Sequence, residues 1–305
     1  MVGVAAVLLL VLALFGAGGA WQRAAPIPEA RSEVAAATVR GEIAVFGGYL
    51  SDGSSSPRID LYSPRANEWR RLPDLPVGLN HAMAAAAGGR LYVVGGYGED
   101  GRAQRRGWVY DGSRVRELPP MPETRAAAGA AVVGTRLYVA GGVTEGAQGR
   151  RLATRLLVLD LGRLRWSTTR GPTPREHLAV TAARGTLYVL AGRLGGLDTN
   201  LATFEAFTPG RGWRRLPPVP GRRGGTGAAA SGGMIVSAGG ERPEGTIASV
   251  YGYEIATRRW RRLPDLPTPR HGLGVAASGG RVYAIAGGPV PGLTVSAANE
   301  YLEVR

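Results

Sequence analysis

The hydrophobic positions of this chain are concentrated in short apolar runs that recur at regular distances. The runs occupy residues 43–46, 91–94, 137–140, 187–190, 234–237 and 282–285. They are rich in β-branched residues and tyrosine and show no polar alternation, which is typical of strands covered on both faces. The pattern predicts one such buried strand per run, and nothing around the runs has the periodicity of a helix.

A glycine doublet follows these runs at a nearly constant interval. The copies are Gly47-Gly48, Gly95-Gly96, Gly141-Gly142, Ala191-Gly192, Gly239-Gly240 and Gly287-Gly288, separated by 48, 46, 50, 48 and 48 residues. Glycine at the end of a strand allows a neighbouring backbone to come close. Repetition at this period predicts a repeat architecture with one supersecondary unit per repeat.

A second signal in each repeat is a tryptophan followed by a proline-rich turn. It is clearest at 69–76, 213–220 and 260–267, and looser around Trp166. In the second repeat Val115 occupies the tryptophan slot. Alternating stretches such as 59–62 precede these segments, so each repeat is predicted to contain four short strands.

The two ends of the chain complement each other. The last repeat stops after a third strand at 299–304, whereas the first residues after the leader, 21–31, contain a tryptophan and a proline turn. The N-terminal strand is therefore predicted to complete the last repeat and close a ring, which removes an open sheet edge.

These motifs resemble the Kelch family, part of the galactose oxidase central-domain and Kelch-like superfamily, over residues 21–305. The resemblance implies an all-β fold, a six-bladed β-propeller of four-stranded blades around a central channel. The departures are Ala191 for Gly, Val115 for Trp, and Leu79 where most copies have Arg. The expected blades are about 32–76, 77–122, 123–172, 173–220, 221–267, and 268–305 joined by 21–31.

Residues 1–20 do not belong to the repeats. An apolar stretch, 2–15, is followed by small residues that offer a cleavage site after Ala20. This pattern predicts a secretory signal peptide, with an uncleaved membrane anchor as the alternative. We therefore expect a bacterial exported type of protein that is secreted, periplasmic or at the cell surface. The chain has no cysteine, which excludes a lipoprotein anchor and disulfide bonds.

The net charge of +14 is the balance of 37 basic residues, all of them arginine, and 23 acidic residues. Many stand in pairs beside the tryptophan strands, such as Arg70-Arg71 and Arg261-Arg262. In a propeller these strands are outermost, so the pairs are expected on the rim. They are interpreted as solvated edge residues, with weak polyanion contact as the alternative. We expect no nucleic-acid partner, and membrane contact only through an uncleaved N-terminal segment.

The Kelch resemblance implies that two sets of loops face one mouth of the channel. The first set begins at Tyr49, Tyr97, Val143, Arg193, Glu241 and Pro289, and the second contains Ser32-Glu33, Asn80-His81, Ala126-Ala127, Glu176-His177, Gly224-Gly225 and His271-Gly272. From these sets, the expected ligand-binding residues are Tyr49, Asn80, His81, Tyr97, His177, Arg193, Glu241 and His271.

All three histidines fall in the second loop set, on the second, fourth and sixth repeats. Three imidazoles would suit a zinc-type site. Alternate blades, however, are expected to hold them too far apart for metal–nitrogen bonds of about 2.1 Å. The sequence therefore predicts no metal and no cofactor.

The expected function is a binding module that recognises a partner protein, peptide or glycan at the mouth. The alternative is a periplasmic sugar epimerase or mutarotase resembling the sialic acid epimerase Kelch family. There Arg193 would hold a substrate carboxylate and Glu176 or Glu241 would transfer the proton. A scaffold that acts through its rim is a third hypothesis. Oxidase chemistry of the galactose oxidase type is excluded because it needs a cysteine crosslink.

Overall fold

A computed structural model describes residues 19–147 and 149–304. Over these residues the chain forms six four-stranded antiparallel sheets, the blades, which confirms the predicted all-β propeller. Blade 1 contains the strands Ala35–Val39, Glu42–Phe46, Ile59–Ser63 and Glu68–Arg71. Blade 2 contains Met83–Ala87, Arg90–Val94, Gly107–Tyr110 and Val115–Glu117. Blade 3 contains Gly129–Val133, Arg136–Ala140, Arg155–Asp160 and Arg165–Arg170. Blade 4 contains Ala179–Ala183, Thr186–Leu190, Phe204–Thr208 and Gly212–Arg215. Blade 5 contains Gly227–Ser231, Met234–Ala238, Val250–Glu254 and Arg259–Leu263. Blade 6 contains Gly274–Ser278, Arg281–Ile285, Asn299–Glu303 and the N-terminal strand Gln22–Arg23.

Side-chain size decides which strand of a blade faces the axis. The first strands are built mainly from alanine, glycine and valine, and they line the central channel, which has a volume of about 350 Å³. Small residues are required there because neighbouring first strands pack closely. A Cβ atom on Gly227 would lie 2.3 Å from Val275 of the next blade. The apolar second strands are buried on both faces, and the fourth strands form the exposed rim.

The ring is closed by the N-terminal segment, as predicted. The first strand of each blade contacts the first strands of both neighbours, including blade 6 with blade 1. Gln22–Arg23 pairs antiparallel with Asn299–Glu303, in the register Gln22 to Tyr301. The first and last strands of the described residues therefore lie in the same sheet.

A tryptophan on the fourth strand ties most blades to the preceding one. The indole nitrogen of Trp21 donates to the carbonyl of Pro264 at 2.8 Å, and equivalent bonds run from Trp69 to Ala25, Trp166 to Pro119, Trp213 to Arg170 and Trp260 to Pro217. Val115 has no indole, so blade 2 lacks this bond to blade 1. At that interface the buried Trp108 packs with Leu61 and Leu72 instead.

The arginines of the Pro-Arg turns are buried inside the blades. Arg31, Arg125, Arg175, Arg223 and Arg270 are all at most 1% exposed. Each donates to the carbonyl of the first residue of its repeat's Gly-Gly or Ala-Gly pair. Four of them also contact a carboxylate, in the pairs Arg31–Asp60, Arg125–Glu123, Arg175–Glu205 and Arg270–Glu300. Arg223 is the exception. In blade 2 both partners are apolar, because Leu79 replaces the arginine and Trp108 replaces the acid at the third strand. Blade 2 therefore lacks both the arginine and the acid.

The doublet of the sixth repeat is displaced by one residue from its prediction. Ala286 and Gly287 have φ of 57° and 98°, matching 57° and 102° at Gly47 and Gly48. The residue equivalent to Tyr49 is consequently Gly288, where the sequence predicted Pro289. The first Gly tolerates replacement by Ala in blades 4 and 6.

The leader predicted at 1–20 lies almost entirely outside the described residues. Within 19–147 and 149–304, no helix is long and apolar enough to cross a membrane.

Candidate functional site

The two predicted loop sets meet at one end of the channel, which we call the mouth. In every blade a single β-bridge joins a residue of one set to a residue of the other: Ser32 to Tyr49, Asn80 to Tyr97, Ala126 to Val143, Glu176 to Arg193, Gly224 to Glu241 and His271 to Gly288. The mouth is therefore a repeated and rigid frame. Short hairpins, Val143–Gly146 with Gly149–Leu152 and Glu241–Arg242 with Gly245–Thr246, extend its loops in blades 3 and 5.

One residue from each blade forms a ring within the mouth, here called the throat. These residues are Glu33, His81, Ala127, His177, Gly225 and Gly272, all with φ between 50° and 64°. Their backbones bond from blade to blade in a ring, with the amide of Val34 completing it against the carbonyl of Gly272. The left-handed conformation is unusual for Glu, His and Ala. It occurs at all six positions, each of which takes part in the ring of bonds.

The expectation that histidines on alternate blades are far apart is wrong. The Nε2 atoms of His81 and His177 lie 3.0 Å from each other across the throat. His81 Nδ1 lies 2.6 Å from Asn80 Oδ1, and the amide nitrogen of Asn80 donates to Ser55 Oγ at 2.8 Å. Since Asn80 Oδ1 is an acceptor, Nδ1 of His81 carries the proton.

Glu33 is the central acid of the throat, and sequence reasoning placed it in the second loop set without selecting it. Its carboxylate lies 3.2 Å from His81 Nε2 and 3.0 Å from His271 Nδ1. His271 Nε2 lies 3.1 Å from the carbonyl of Val290, so both its ring nitrogens face acceptors. The signal for Glu33 was its register, because it occupies the position of His81 and His177 in the first blade.

The protonation states of the throat follow from these contacts. Burial lowers the pKa of His81 to about 4 and keeps this imidazole neutral. Burial acts in the same direction on His271, but the hydrogen bond and charge of Glu33 outweigh it and raise the pKa of His271. For Glu33 burial raises the pKa, yet its histidine neighbours hold it well below the usual range. The two shifts are in the directions that favour an ionised Glu33 beside a protonated His271.

Arg193 is brought between the two acids that were predicted with it. Its guanidinium lies 2.8 Å from Glu241 and 3.5 Å from Glu176, and all three side chains are largely buried. Asn200 donates to the carbonyl of Glu241 at 2.6 Å and holds that loop in place. The guanidinium is already neutralised by protein groups.

Tyr49 and Tyr97 stand beside His81 on neighbouring blades. Their rings contact the imidazole edge-to-face, with centroids 5.8 Å and 5.4 Å away. Arg150 stacks over the ring of Tyr97 at 4.7 Å and donates to the carbonyl of Gly101 in the adjacent blade. All eight predicted ligand-binding residues therefore converge at one mouth, together with Glu33, Glu176 and Arg150.

Exposed apolar side chains also collect at the mouth. In the described part of the chain, the large hydrophobic residues with most exposure are Leu164, Leu194, Val290 and Leu293. Leu194, Val290 and Leu293 belong to mouth loops of blades 4 and 6, whereas Leu164 lies in a turn between third and fourth strands at the opposite end. Sequence reasoning missed these three residues because loop sequences carry no periodicity that reveals exposure.

Comparison with known families agrees with the architecture. Residues 113–288 match the family model described as the KLHDC2/KLHL20/DRC7 Kelch-repeats domain. Residues 30–76 and 81–122 each match the Kelch motif. A search of curated proteins found no significant match.

Proposed function

Because the chain belongs to the Kelch-repeat propeller family, we propose that it is an exported binding module whose mouth recognises a partner protein or peptide. Kelch propellers are typical protein-interaction modules. The apolar leader at 1–20 supports export. Edman sequencing of the secreted protein is expected to begin at Trp21, and retention of residues 1–20 would favour an anchor.

The observation that carries the proposal is the group of exposed apolar residues on the mouth loops. Leu194, Val290 and Leu293 are 51%, 57% and 53% exposed. Leu194 on blade 4 and Val290 and Leu293 on blade 6 therefore present exposed apolar side chains on loops around a polar centre, which favours an interaction site. Tyr49 and Arg150 add an aromatic and a charged group of the kinds that dominate binding energy in interfaces.

A hydrogen bond and an ion pair between neighbouring loops preorganise this surface. Thr246 of blade 5 donates to the carbonyl of Pro289 in blade 6 at 2.9 Å. Arg102 of blade 2 lies 3.9 Å from Glu145 of blade 3. A surface that is ordered before binding loses less conformational entropy on association, so affinity is gained without additional contacts.

The test is selection of a displayed random peptide library on residues 21–305, followed by affinity measurement on variants. The triple variant Leu194→Asp, Val290→Asp, Leu293→Asp is expected to lose binding of the selected peptides. Leu164→Asp is the matched control, since Leu164 is 43% exposed at the opposite end of the propeller. Equal loss in the triple variant and the control, or no loss in the triple variant, would refute a binding site at the mouth.

The alternative function, epimerisation or mutarotation of an acidic sugar, is favoured by the grouping of Arg193, Glu176 and Glu241. A substrate carboxylate would have to displace Glu241 from Arg193, which frees Glu241 to transfer a proton. Thermal shift and anomeric turnover with sialic acid separate the two functions. An enzyme loses turnover in Glu176→Gln or Glu241→Gln while it still binds sugar. A glycan-binding module binds the sugar without turnover.

Contact of polyanions with the rim is proposed only as a weak secondary activity. Arg70 contacts Glu42 at 3.0 Å, and Arg71 and Arg262 contact Asp74 and Asp265. These neighbours neutralise part of the rim charge. Any rim binding is expected to weaken steeply with salt and to ignore substitutions at the mouth.

A further inference from the structure

We propose that the throat binds one divalent transition-metal ion, of the zinc class, through His81, His177 and Glu33. Two imidazole nitrogens and one carboxylate from three different blades converge here, and their donor atoms all lie within 4.8 Å of one another. This site goes beyond the binding function proposed for the outer mouth, because it does not depend on the loops that carry Leu194, Val290 and Leu293.

The separations of the donor atoms are close to those of a metal coordination shell. His81 Nε2 lies 3.0 Å from His177 Nε2 and 3.2 Å from a carboxylate oxygen of Glu33. Tetrahedral zinc with bonds of about 2.0–2.1 Å places neighbouring ligand atoms about 3.3 Å apart. The third separation, between His177 and Glu33, is at most 4.8 Å, so movement of these side chains has to bring it to the same value to complete the shell.

Polar neighbours of the outer ring nitrogens, Asn80 for His81 and Glu176 for His177, favour lone pairs that point toward the shared space. Because Asn80 accepts from Nδ1 of His81, the Nε2 atom of His81 presents a lone pair to the throat. Nδ1 of His177 makes no hydrogen bond with the described residues but faces a carboxylate oxygen of Glu176 at 3.4 Å, a neighbour that favours the tautomer with the proton on Nδ1 and the lone pair on Nε2. Imidazole ligands of metals are held by such carboxyl or carbonyl partners on their other nitrogen.

Glu33 divides its two oxygens between different partners. Oε1 faces His271 at 3.0 Å, and Oε2 faces His81 at 3.2 Å. His271 anchors the carboxylate through Oε1, and Oε2 remains available to an ion. His271 is therefore a positioning residue for the site rather than a ligand.

The throat also contains room for the remaining ligands of an ion. A cavity of about 80 Å³ is lined by Glu33, His81, His177 and the three small residues Ala127, Gly225 and Gly272. Water occupies about 30 Å³ in the liquid, so this cavity has space for an ion with one or two waters. Three protein ligands plus water is the arrangement of metal sites that keep an open position.

The experiment is isothermal titration of metal-free residues 21–305 with Zn²⁺, together with visible spectroscopy of Co²⁺ in its place. One ion per chain is expected, with the intense ligand-field bands of tetrahedral Co²⁺. His81→Ala and Glu33→Gln are expected to weaken binding by at least about a hundredfold, and Asn80→Ala, which removes an outer partner, by about tenfold.

The matched control is Glu117→Gln, the same substitution as Glu33→Gln at an exposed acid on the rim of blade 2, and it is expected to keep wild-type affinity. If the wild-type protein binds no Zn²⁺ stoichiometrically, the contact between His81 and His177 is a hydrogen bond between imidazoles and the proposal is overturned. Equal affinity of Glu33→Gln and Glu117→Gln would place the ion elsewhere and overturn it too. Because the wild-type titration needs no variant to fold, one result or the other is always obtained.

Discussion

Replacing Glu205 by Gln removes the charge that neutralises a fully buried guanidinium. Arg175 is 0% exposed and lies 2.6 Å from Glu205. The same carboxylate accepts from the amide and the hydroxyl of Thr173 at 3.2 Å and 2.9 Å. A glutamine offers one acceptor oxygen where the acid has two, so a donor of Arg175 or Thr173 loses its partner.

Breaking a buried ion pair by removing one partner destabilises a protein by about 3–5 kcal/mol. At about 2 °C per kcal/mol for a large domain, the melting temperature of Glu205→Gln should fall by at least about 6 °C. The contrast is Glu117→Gln, because the Arg106–Glu117 pair has a similar distance of 2.8 Å but side chains that are 44% and 52% exposed. Exposed pairs contribute less than about 1 kcal/mol.

The assay is thermal unfolding of both variants, followed by circular dichroism. A third protein, Arg175→Met with Glu205→Leu, tests the reason directly, since blade 2 already has the apolar pair Leu79 and Trp108 at these positions. The double variant should be more stable than Glu205→Gln although it carries one more substitution. Equal melting temperatures for Glu205→Gln and Glu117→Gln would refute the account of buried charge.

Further predictions concern the ring, one interface and alkaline pH. Deletion of residues 21–31 should lower the melting temperature of the whole propeller in a single transition, and an unchanged value would contradict closure by this segment. Val115→Trp should raise the free energy of unfolding by about 1 kcal/mol, because the new indole can donate to the carbonyl of Pro73, the counterpart of Pro119. Trp213→Phe removes such a bond and should lower the melting temperature in the same experiment. Burial raises the pKa of Tyr62 to about 12. Above about pH 10 the unfolded tyrosine loses its proton while the folded one keeps it, so stability falls as pH rises toward 12. Urea midpoints of Tyr62→Phe should show a smaller fall between pH 9 and pH 11 than wild type.

The propeller could be predicted from sequence because its signals are local and repeated. Each apolar run, doublet and tryptophan turn lies within one blade, so six copies identify the strands and their order. The slip at Pro289 shows the limit of that reading. Ala286, with φ 57°, adopts the conformation that the first glycine of the pair has in other blades. The Gly287-Gly288 pair in the sequence therefore placed the loop of blade 6 one residue too late.

The candidate site was only partly predictable, for a geometric reason. The alignment of the repeats identified the loops that carry His81, His177 and Glu33. It gives no information about the distance between residues on different blades. That distance follows from the small first strands and from left-handed backbone at each throat position, which turns the side chains toward the axis. Exposure of Leu194 and Val290 depends in the same way on loop paths that no periodicity encodes.

The ring of backbone bonds in the throat leaves the identity of its side chains largely independent of the fold. Because the bonds join amides to carbonyls, Glu, His, Ala and Gly all occupy equivalent positions. The positions differ in whether they accommodate a larger side chain. A Cβ atom on Gly272 would lie 2.5 Å from Glu33, whereas Ala127 already has a Cβ atom. Ala127 is thus the place where divergence could introduce another acid or imidazole, and so change the charged and polar groups of the throat, with the blades unchanged.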